Sequence, residues 1–185
     1  MKMTFAKICA VGLIVGVGSP ASAASTIIGN GLAETCSITA RLGNRDRSAE
    51  NVCTQALEAR DLIQRDQAAT LVNRGIIRLR NGDYSLATAD FNSAIQIVPG
   101  LGEAYVNRGA VLIKLGQYEA SLVDLNKGIE LGVEEPAKAY FNRALAYEGL
   151  DNLRAAYFDY RRASEINPEW QEPKTQLVRF TVSGL

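Results

Sequence analysis

The chain has 185 residues, with 20 Lys and Arg against 20 Asp and Glu, and therefore a formal net charge of zero. That balance does not favour nucleic acid or an anionic membrane surface as a partner, because both require a clustered basic face. The chain contains no histidine, which excludes Ser-His-Asp and Cys-His nucleophile systems and most transition-metal sites.

The first 23 residues have the features of a secretory signal peptide. Lys2 and Lys7 precede an apolar run at 8–17, which is too short to span a bilayer. Ala21 and Ala23 then supply the small-x-small arrangement that a signal peptidase accepts. We therefore expect cleavage after Ala23, export to a bacterial periplasm and no membrane insertion afterwards. The mature chain would lose two lysines and no acid, which makes its net charge −2.

Two cysteines would remain in the mature chain, since cleavage removes Cys9 and leaves Cys36 and Cys53. An even number of cysteines in an oxidising compartment favours a disulfide. Residues 33–42 and 49–60 have the pattern of two antiparallel helices, on which the two cysteines lie at similar heights. We expect a structural disulfide between them. A redox-active pair is the alternative, although the spacing is not Cys-x-x-Cys.

One three-residue pattern recurs at intervals of 34 and then 35 residues: Asn73-Arg74-Gly75, Asn107-Arg108-Gly109 and Asn142-Arg143-Ala144. Other positions recur in register with it. Each copy has a large apolar residue four places before its Gly or Ala and a turn residue seven places after it: Leu71 and Gly82, Tyr105 and Gly116, Tyr140 and Asp151. A motif with this period indicates an array of similar supersecondary units.

Each unit has the pattern of two helices joined by a tight turn. In the second half of the first unit, small and large residues alternate as Ala87, Phe91 and Ala94. Small side chains let two antiparallel helices approach closely, and aromatic side chains fill the space beside them. We place the three units at 67–101, 102–136 and 137–170.

This pattern resembles the tetratricopeptide repeat over roughly residues 67–170. The resemblance implies an all-α fold, a short right-handed solenoid of stacked helix pairs. The third unit departs from the family pattern, with Asp151 and Leu153 where the other two have Gly and Tyr. The second unit is one residue longer than the 34-residue period, and its Pro136 is displaced from the position of the proline in the other units.

The segments that flank the repeats are expected to close the ends of the array. The hairpin at 33–66 would cap the first unit, and residues 24–32 before it are expected to be flexible. At the other end, 171–185 would form a capping helix and tail. Trp170 and Phe180 would then be buried against the third unit.

An aspartate recurs in the second helix of each unit, at Asp90, Asp124 and Asp159. Paired carboxylates could serve as acid and base or bind a hard cation. Equivalent positions in successive units are about 10 Å apart, however, because that is the spacing of packed helices, so these carboxylates cannot converge on one ion. We interpret them as salt-bridge partners of the equally regular Arg74, Arg108 and Arg143.

The resemblance also implies a concave groove lined by the first helices, with Asn73, Asn107 and Asn142 facing it. An asparagine can donate and accept a hydrogen bond at once, so the three could hold an extended peptide backbone. The alternative is that they bond only to neighbouring helices or water. The other expected groove residues are mostly apolar: Val72, Ile76, Val106, Ala110, Lys138, Phe141 and Leu145.

One subfamily of these repeats binds chaperone tails through a carboxylate clamp of Lys, Asn and Arg. Asn107 and Lys138 fit that arrangement, whereas Val72, Ile76 and Asn142 replace three of its polar or basic residues. We therefore do not expect binding of a carboxylate tail.

These patterns favour a non-catalytic protein–protein interaction module that binds a peptide or partner protein in its concave groove. The alternative is an accessory subunit or assembly factor of an envelope complex, acting through its convex face or its N-terminal hairpin. Since no acid–base, nucleophile or metal constellation is evident, we expect no enzyme activity, no cofactor and no metal site.

Overall fold

The computed structural model describes residues 4–7, 31–43, 46–59 and 61–183. Most of the expected signal peptide lies outside these residues, as does residue range 24–30 of the segment expected to be flexible. The last two residues of that segment already belong to a helix, because α1 begins at Gly31.

The described part of the chain is an array of antiparallel helix pairs. Its helices are α1 (Gly31–Arg41), α2 (Arg47–Glu58), α3 (Gln64–Asn81), α4 (Tyr84–Ile97), α5 (Gly102–Lys114), α6 (Tyr118–Leu131), α7 (Pro136–Gly149), α8 (Leu153–Ile166) and α9 (Gln171–Leu177). We call α1, α3, α5 and α7 the first helices and α2, α4, α6 and α8 the second helices. Each first helix packs against the second helix that follows it and against the next first helix. The expected all-α solenoid of stacked helix pairs is confirmed.

Within each repeat unit, a first-helix residue with little or no side chain lies against a large second-helix side chain. A Cβ atom added to Gly75 of α3 would lie 2.5 Å from the Phe91 ring of α4, and one added to Gly109 would lie 2.8 Å from Leu125. Phe91 and Leu125 have no exposed surface. Burying a side chain of this size stabilises the fold by about 1.5–3 kcal/mol, so these contacts hold each pair together.

The N-terminal hairpin is held mainly by small side chains and a disulfide. Cys36 and Cys53 form the expected bridge, with their Cα atoms 4.9 Å apart. Arg78 of α3 donates a hydrogen bond of 2.8 Å to Glu50 of α2, which ties the hairpin to the first repeat unit. Among the described residues of α1 and α2, the buried ones are all small: Ala33, Cys36, Ser37, Ala40, Ala49, Cys53 and Ala56.

The C-terminal cap consists of a short helix followed by a strand. Helix α9 stops at Leu177, and strand β2 (Phe180–Ser183) follows, so Phe180 lies on a strand that was not expected in this segment. The strand begins Phe-Thr-Val, and aromatic and β-branched residues favour strands. Phe180 is nevertheless buried, with its ring centroid 6.0 Å from that of Tyr160. Trp170 packs on Phe141 at 4.8 Å between ring centroids but is only partly buried. Both aromatic residues therefore contact the third unit, and of the two only Phe180 is buried as expected.

A short antiparallel strand pair, which the sequence pattern did not predict, joins the two ends of the chain. Strand β1 (Thr4–Lys7) pairs with β2, with Thr4 opposite Ser183, and β1 also contacts α8. The residues of β1 belong to the expected signal peptide. Removal of residues 1–23 would therefore leave β2 without this partner.

The turn between the two helices of each repeat unit has one residue with left-handed backbone. The φ angles are 88° at Gly82, 71° at Gly116 and 58° at Asp151. Glycine adopts this region freely, whereas a residue with a Cβ atom is destabilised there by about 1 kcal/mol or slightly more. The third unit therefore has a strained turn where the first two do not.

We predict that Asp151→Gly raises the free energy of unfolding by about 0.5–1 kcal/mol, because glycine removes the steric cost of the left-handed turn. The matched reverse change, Gly116→Asp, should lower it by about 1 kcal/mol. Urea denaturation followed by circular dichroism measures both. A loss of stability in Asp151→Gly would mean that the aspartate side chain contributes more than its backbone conformation costs.

Candidate partner-binding site

The ten residues expected to line the groove all lie on the first helices of the three repeat units, but most are not accessible. Lys138 and Leu145 are partly exposed. The other eight are buried, with at most 7 % of their surface exposed: Val72, Asn73, Ile76, Val106, Asn107, Ala110, Phe141 and Asn142. These eight side chains therefore present little surface to a groove in this structure, and their part in binding stays a prediction.

The reason for this burial is that successive first helices pack directly against one another. Val72 and Ile76 of α3 belong to the same hydrophobic cluster as Ala104 and Val111 of α5. Val106 of α5 likewise packs with Ala139 of α7. The side chains expected to face a groove thus form the interface between neighbouring first helices.

The recurring asparagines lie in these buried interfaces with hydrogen-bonding capacity unused. Among the described residues, Asn73 finds no partner for its Oδ1 or its Nδ2, and Asn142 finds none for its Nδ2. Asn107 donates from Nδ2 to the Glu103 carbonyl at 2.9 Å, but its Oδ1 has no partner. An unsatisfied buried polar atom is destabilising by about 1–3 kcal/mol. The bond of Asn107 lies within α5, so it is not the bonding to neighbouring helices that was the alternative for these residues.

Sequence reasoning missed a fourth residue of this kind. Ser37 of α1 is 2 % exposed, and its Oγ has no hydrogen-bond partner in the part of the chain that the structure describes. No sequence signal marks Ser37, because α1 lacks the Asn-Arg-Gly pattern of the repeat units. Thr54 of α2 bonds Arg74 as Asn92 of α4 bonds Arg108, at an interval of 38 residues, so Ser37 is not in register with Asn73.

The remaining basic residue of the expected groove is already paired. Lys138 Nζ lies 2.6 Å from Glu135 Oε1. Nearby, Glu103 accepts a hydrogen bond of 3.1 Å from the backbone N–H of Glu134. Burial raises the pKa of Glu134 above its ordinary value, and the carboxylates of Glu103 and Glu135 act in the same direction. Three carboxylates therefore lie near one another at this edge of the site, although Arg41 and Arg65 act on the pKa of Glu134 in the opposite direction.

Each recurring arginine joins three helices. Arg108 of α5 donates two hydrogen bonds of 2.7 Å to Asp124 of α6, and a third of 2.7 Å to Asn92 of α4 in the preceding unit. Arg143 repeats the arrangement with Asp159 and Asn126. Arg74 does so with Asp90 and with Thr54 of the hairpin: its bond to Thr54 Oγ1 is 3.2 Å long. The predicted pairing of the aspartates with the arginines is confirmed.

The aspartate side chains of these pairs are more buried than those of ordinary surface ion pairs. The side chain of Asp124 is 8 % exposed and that of Arg108 is 25 % exposed. The hydrogen bond to Asp124 raises the pKa of Arg108, although burial of the guanidinium acts in the opposite direction. Two-point hydrogen bonding of this kind fixes the orientation of both side chains. Because each aspartate is paired in this way, it is not available as a general acid or a cation ligand.

A second polar cluster centres on Glu148, near the C-terminal end of α7. The Tyr160 hydroxyl donates a hydrogen bond of 2.9 Å to Glu148 of α7, and Arg179 also pairs with Glu148. Burial and the neighbouring Glu148 carboxylate raise the pKa of Tyr160, so it stays protonated. Together with Trp170 on Phe141, this cluster covers the last first helix.

Neither a metal site nor a membrane-spanning helix occurs within the described ranges. No group of three or more His, Cys, Asp or Glu side chains there is arranged to hold a metal ion. None of the helices described is both long enough and apolar enough to cross a membrane.

A family model described as Tetratricopeptide repeat matches residues 102–131 and 137–169. Three solved structures illustrate what the fold is similar to. The Arabidopsis OM64 TPR domain is 21% identical, with a TM-score of 0.59 over 63% of this chain and 96% of that chain. MamA, from residue 41 to its end, from Desulfovibrio magneticus RS-1 is 25% identical, with a TM-score of 0.61 over 79% of each chain.

The third is the first TPR of Spaghetti (RPAP3) bound to the HSP90 peptide SRMEEVD. It is 25% identical, with a TM-score of 0.56 over 60% of this chain and 87% of that chain. No curated protein matches the sequence.

A double-mutant cycle on Arg108→Ala and Asp124→Ala should give a coupling energy of about 1–3 kcal/mol, because the bidentate pair is largely removed from water. The control is the exposed pair Arg161 and Glu165, whose side chains are 52 % and 50 % exposed. Its coupling should be about 0.2–0.5 kcal/mol. Urea denaturation of the four members of each cycle gives both values. Equal coupling energies would show that the buried pair adds nothing to stability beyond a surface pair.

Proposed function

Since the chain is a tetratricopeptide repeat protein, we propose that it is a non-catalytic interaction module whose first-helix face holds an extended segment of a partner protein. The observation that carries this proposal is the series of buried asparagines with unused hydrogen-bonding atoms, one in each repeat unit. An extended backbone supplies both N–H donors and C=O acceptors, which are the groups that these amides lack. Binding requires neighbouring first helices to move apart, because the amides are enclosed in this structure.

The site favours a partner segment whose contacting groups carry no charge. It does not favour an acidic chain terminus. The related domain of Spaghetti is bound to a peptide ending in Glu-Glu-Val-Asp. Here Lys138, the basic residue at a clamp position, is paired with Glu135. Val72 and Ile76, which stand at two other clamp positions, are buried and apolar. A free carboxylate would therefore find no available cation at these positions.

The absence of catalysis is part of the proposal and rests on how the acids are used. Asp90, Asp124 and Asp159 each accept hydrogen bonds from an arginine. Both oxygens of each carboxylate are engaged by the guanidinium, so neither is free to contact a substrate. We expect purified protein to turn over none of a panel of hydrolase substrates, and this assay tests that part of the proposal.

A second candidate function is assembly through the N-terminal hairpin or the convex face. The observation that favours it is apolar exposure on those surfaces. Ile38 of α1 and Leu42, which directly follows α1, are 42 % and 78 % exposed, and Val123 of α6 is 69 % exposed. Exposed apolar side chains of this size are typical of contact surfaces when they cluster.

We further propose that the protein works in the bacterial periplasm. The support is the signal-peptide pattern at 1–23 and the pair of cysteines that remains after cleavage, which form a disulfide as such a compartment allows. Strand β1 would be removed with the signal peptide, so β2 would have no intramolecular strand partner in the mature protein.

The binding mode can be tested with a dodecapeptide selected from a phage-displayed random library against the protein lacking residues 1–23. We predict that Asn107→Ala weakens binding of the selected peptide about tenfold, because a hydrogen bond to the peptide is lost. Asn51→Ala, which alters an exposed asparagine of α2, is the matched control and should leave the Kd unchanged. Fluorescence anisotropy of the labelled peptide measures both.

The same peptide separates the two candidate functions. If Asn107→Ala has no effect while Ile38→Ser or Leu42→Ser abolishes binding, then the hairpin surface is the binding site and the groove proposal fails. Ile38 and Leu42 are chosen because they are exposed, so their replacement should not disturb the core.

Export can be tested by expressing the full chain in a Gram-negative host and measuring the intact mass of the periplasmic protein. We predict the mass of residues 24–185 less two hydrogens, because the signal peptide is removed and the Cys36–Cys53 disulfide forms. Alkylation should add no label before reduction and two labels after it. A periplasmic fraction without the protein, or a mass that includes residues 1–23, would contradict the proposal.

A further inference from the structure

Helix α1 is apolar on the face that packs into the array and also on the opposite face. The packed face contacts α2 and α3 through Ala33, Cys36 and Ala40. On the other side, uncharged residues recur at the spacings of three and four that a helix brings onto one face. They are Leu32, Thr35, Ile38, Thr39 and Leu42. We call these five residues the α1 stripe.

The α1 stripe is exposed, although it lies at the end of a solenoid. Leu32, Ile38 and Leu42 are 38 %, 42 % and 78 % exposed. Leu42 directly follows α1 and continues its last turn, because its N–H donates a hydrogen bond of 2.9 Å to the Ile38 carbonyl. At the other end of the array, the exposed residues of α9 are polar: Gln171, Glu172, Lys174 and Thr175. A helix that only caps an array needs a polar outer surface such as that of α9.

The threonines of the α1 stripe already have partners for their hydroxyl donors. Thr35 Oγ1 donates a hydrogen bond of 2.6 Å to the Gly31 carbonyl, and Thr39 Oγ1 donates one to the Thr35 carbonyl. Both bonds lie within α1, so removing water from the stripe leaves neither donor unsatisfied. The stripe is therefore suited to burial against another apolar surface.

The α1 stripe is self-complementary when two copies of α1 pack antiparallel. A two-fold axis beside residue 37 places Leu32 of one copy opposite Leu42 of the other, and Thr35 opposite Thr39. Ile38 lies close to this axis and meets its own counterpart. A two-fold interface uses the same patch on both subunits, so the patch must match itself when reversed. The stripe meets this requirement.

Two charged residues select the antiparallel arrangement. Glu34 and Arg41 are exposed and seven residues apart, about two helical turns, so they lie on the same edge of α1 beside the stripe. In the antiparallel pair, Glu34 of each copy lies opposite Arg41 of the other. In a parallel pair, like charges would meet at both positions. Within its own chain, Arg41 acts on the pKa of Glu134 by charge alone, so its guanidinium is still able to donate.

We propose that two copies of this chain associate through the α1 stripe as an antiparallel, two-fold symmetric helix pair with Glu34–Arg41 pairs along its edge. This inference goes beyond the binding of a partner segment and does not depend on it. It names a second copy as the occupant of the hairpin surface in the second candidate function. Each copy contributes one helix of 11 residues. Such an interface is no larger than about 1,200 Å², so we expect a weak dimer, with a Kd on the order of 10 μM.

Sedimentation velocity of the protein lacking residues 1–23 tests the dimer, at concentrations from about tenfold below to about tenfold above that Kd. Ile38→Asp should abolish association, because it brings two carboxylates together near the axis. The control is Val123→Asp, which alters a more exposed apolar residue on α6 and should leave the Kd of the dimer unchanged. Circular dichroism gives the Tm of each variant.

Charge reversal tests the arrangement itself. Glu34→Arg and Arg41→Glu should each weaken the dimer about tenfold, because each turns both edge pairs into like-charge pairs. An equimolar mixture of the two variants should regain the dimer, since every edge pair in the mixed dimer again joins opposite charges. Glu58→Arg, which alters an exposed acid of α2, is the matched control and should leave the Kd unchanged.

The proposal is overturned if the unaltered protein stays monomeric over this range, or if Ile38→Asp associates as well as the unaltered protein does. A mixture of the two charge variants that associates no better than either alone also overturns it. A monomer whose Tm falls in Ile38→Asp would mean that the stripe is covered within its own chain, for which residues 24–30 are the adjoining segment. A monomer with unchanged Tm would leave the stripe to a different protein. The effect of Asn107→Ala on the dodecapeptide is measured separately, so either proposal can fail while the other stands.

Discussion

The arginine that joins three helices in each unit is the constraint on which the rest of the array depends. Arg108 is bonded to Asp124 of its own unit and to Asn92 of the preceding one, and Arg143 repeats the arrangement one unit later. Two bonds fix the second helix relative to the first, and the third bond fixes the neighbouring unit. Because the guanidinium is planar and its donors are rigidly placed, the relative position of all three helices is specified by one side chain.

This constraint acts on one side of the array and leaves the other side less well satisfied. The second helices are held by charge-assisted hydrogen bonds, whereas the first helices meet through buried apolar side chains such as Val72 and Ile76 and through amides that lack partners. Opening such an interface would expose this apolar surface but would break few hydrogen bonds, and it would let water or a ligand satisfy the amides. Directional bonds on the second-helix side and non-directional contacts on the first-helix side are therefore consequences of the same residue pattern.

The sequence was most informative where structure is determined locally. The 34-residue period is read directly from the sequence, and the Gly75–Phe91 type of contact and the Arg–Asp pairing lie within one unit, so short-range spacing was enough to predict them. Accessibility of the groove was not predictable in this way, because exposure of Val72 or Asn107 depends on how closely two units approach. Sequence patterns also could not reveal strand β2, since its partner lies at the opposite end of the chain. Ser37 was overlooked because α1 lacks the Asn-Arg-Gly pattern that marks the other units.

The small-residue interior of the hairpin has a consequence for the order of events in folding. Units with Phe91, Leu125 or Tyr160 at their centre bury large side chains and can form from local contacts while the cysteines are still reduced. Helices α1 and α2 fully bury only alanine, cysteine and serine among their described residues, with Ile77 of α3 packed against them. The hairpin therefore gains less apolar burial than a unit with a large side chain at its centre, and the Cys36–Cys53 disulfide takes the place of that contact. We therefore expect the hairpin to depend more than the repeat units on an oxidising environment and to reach its full stability last.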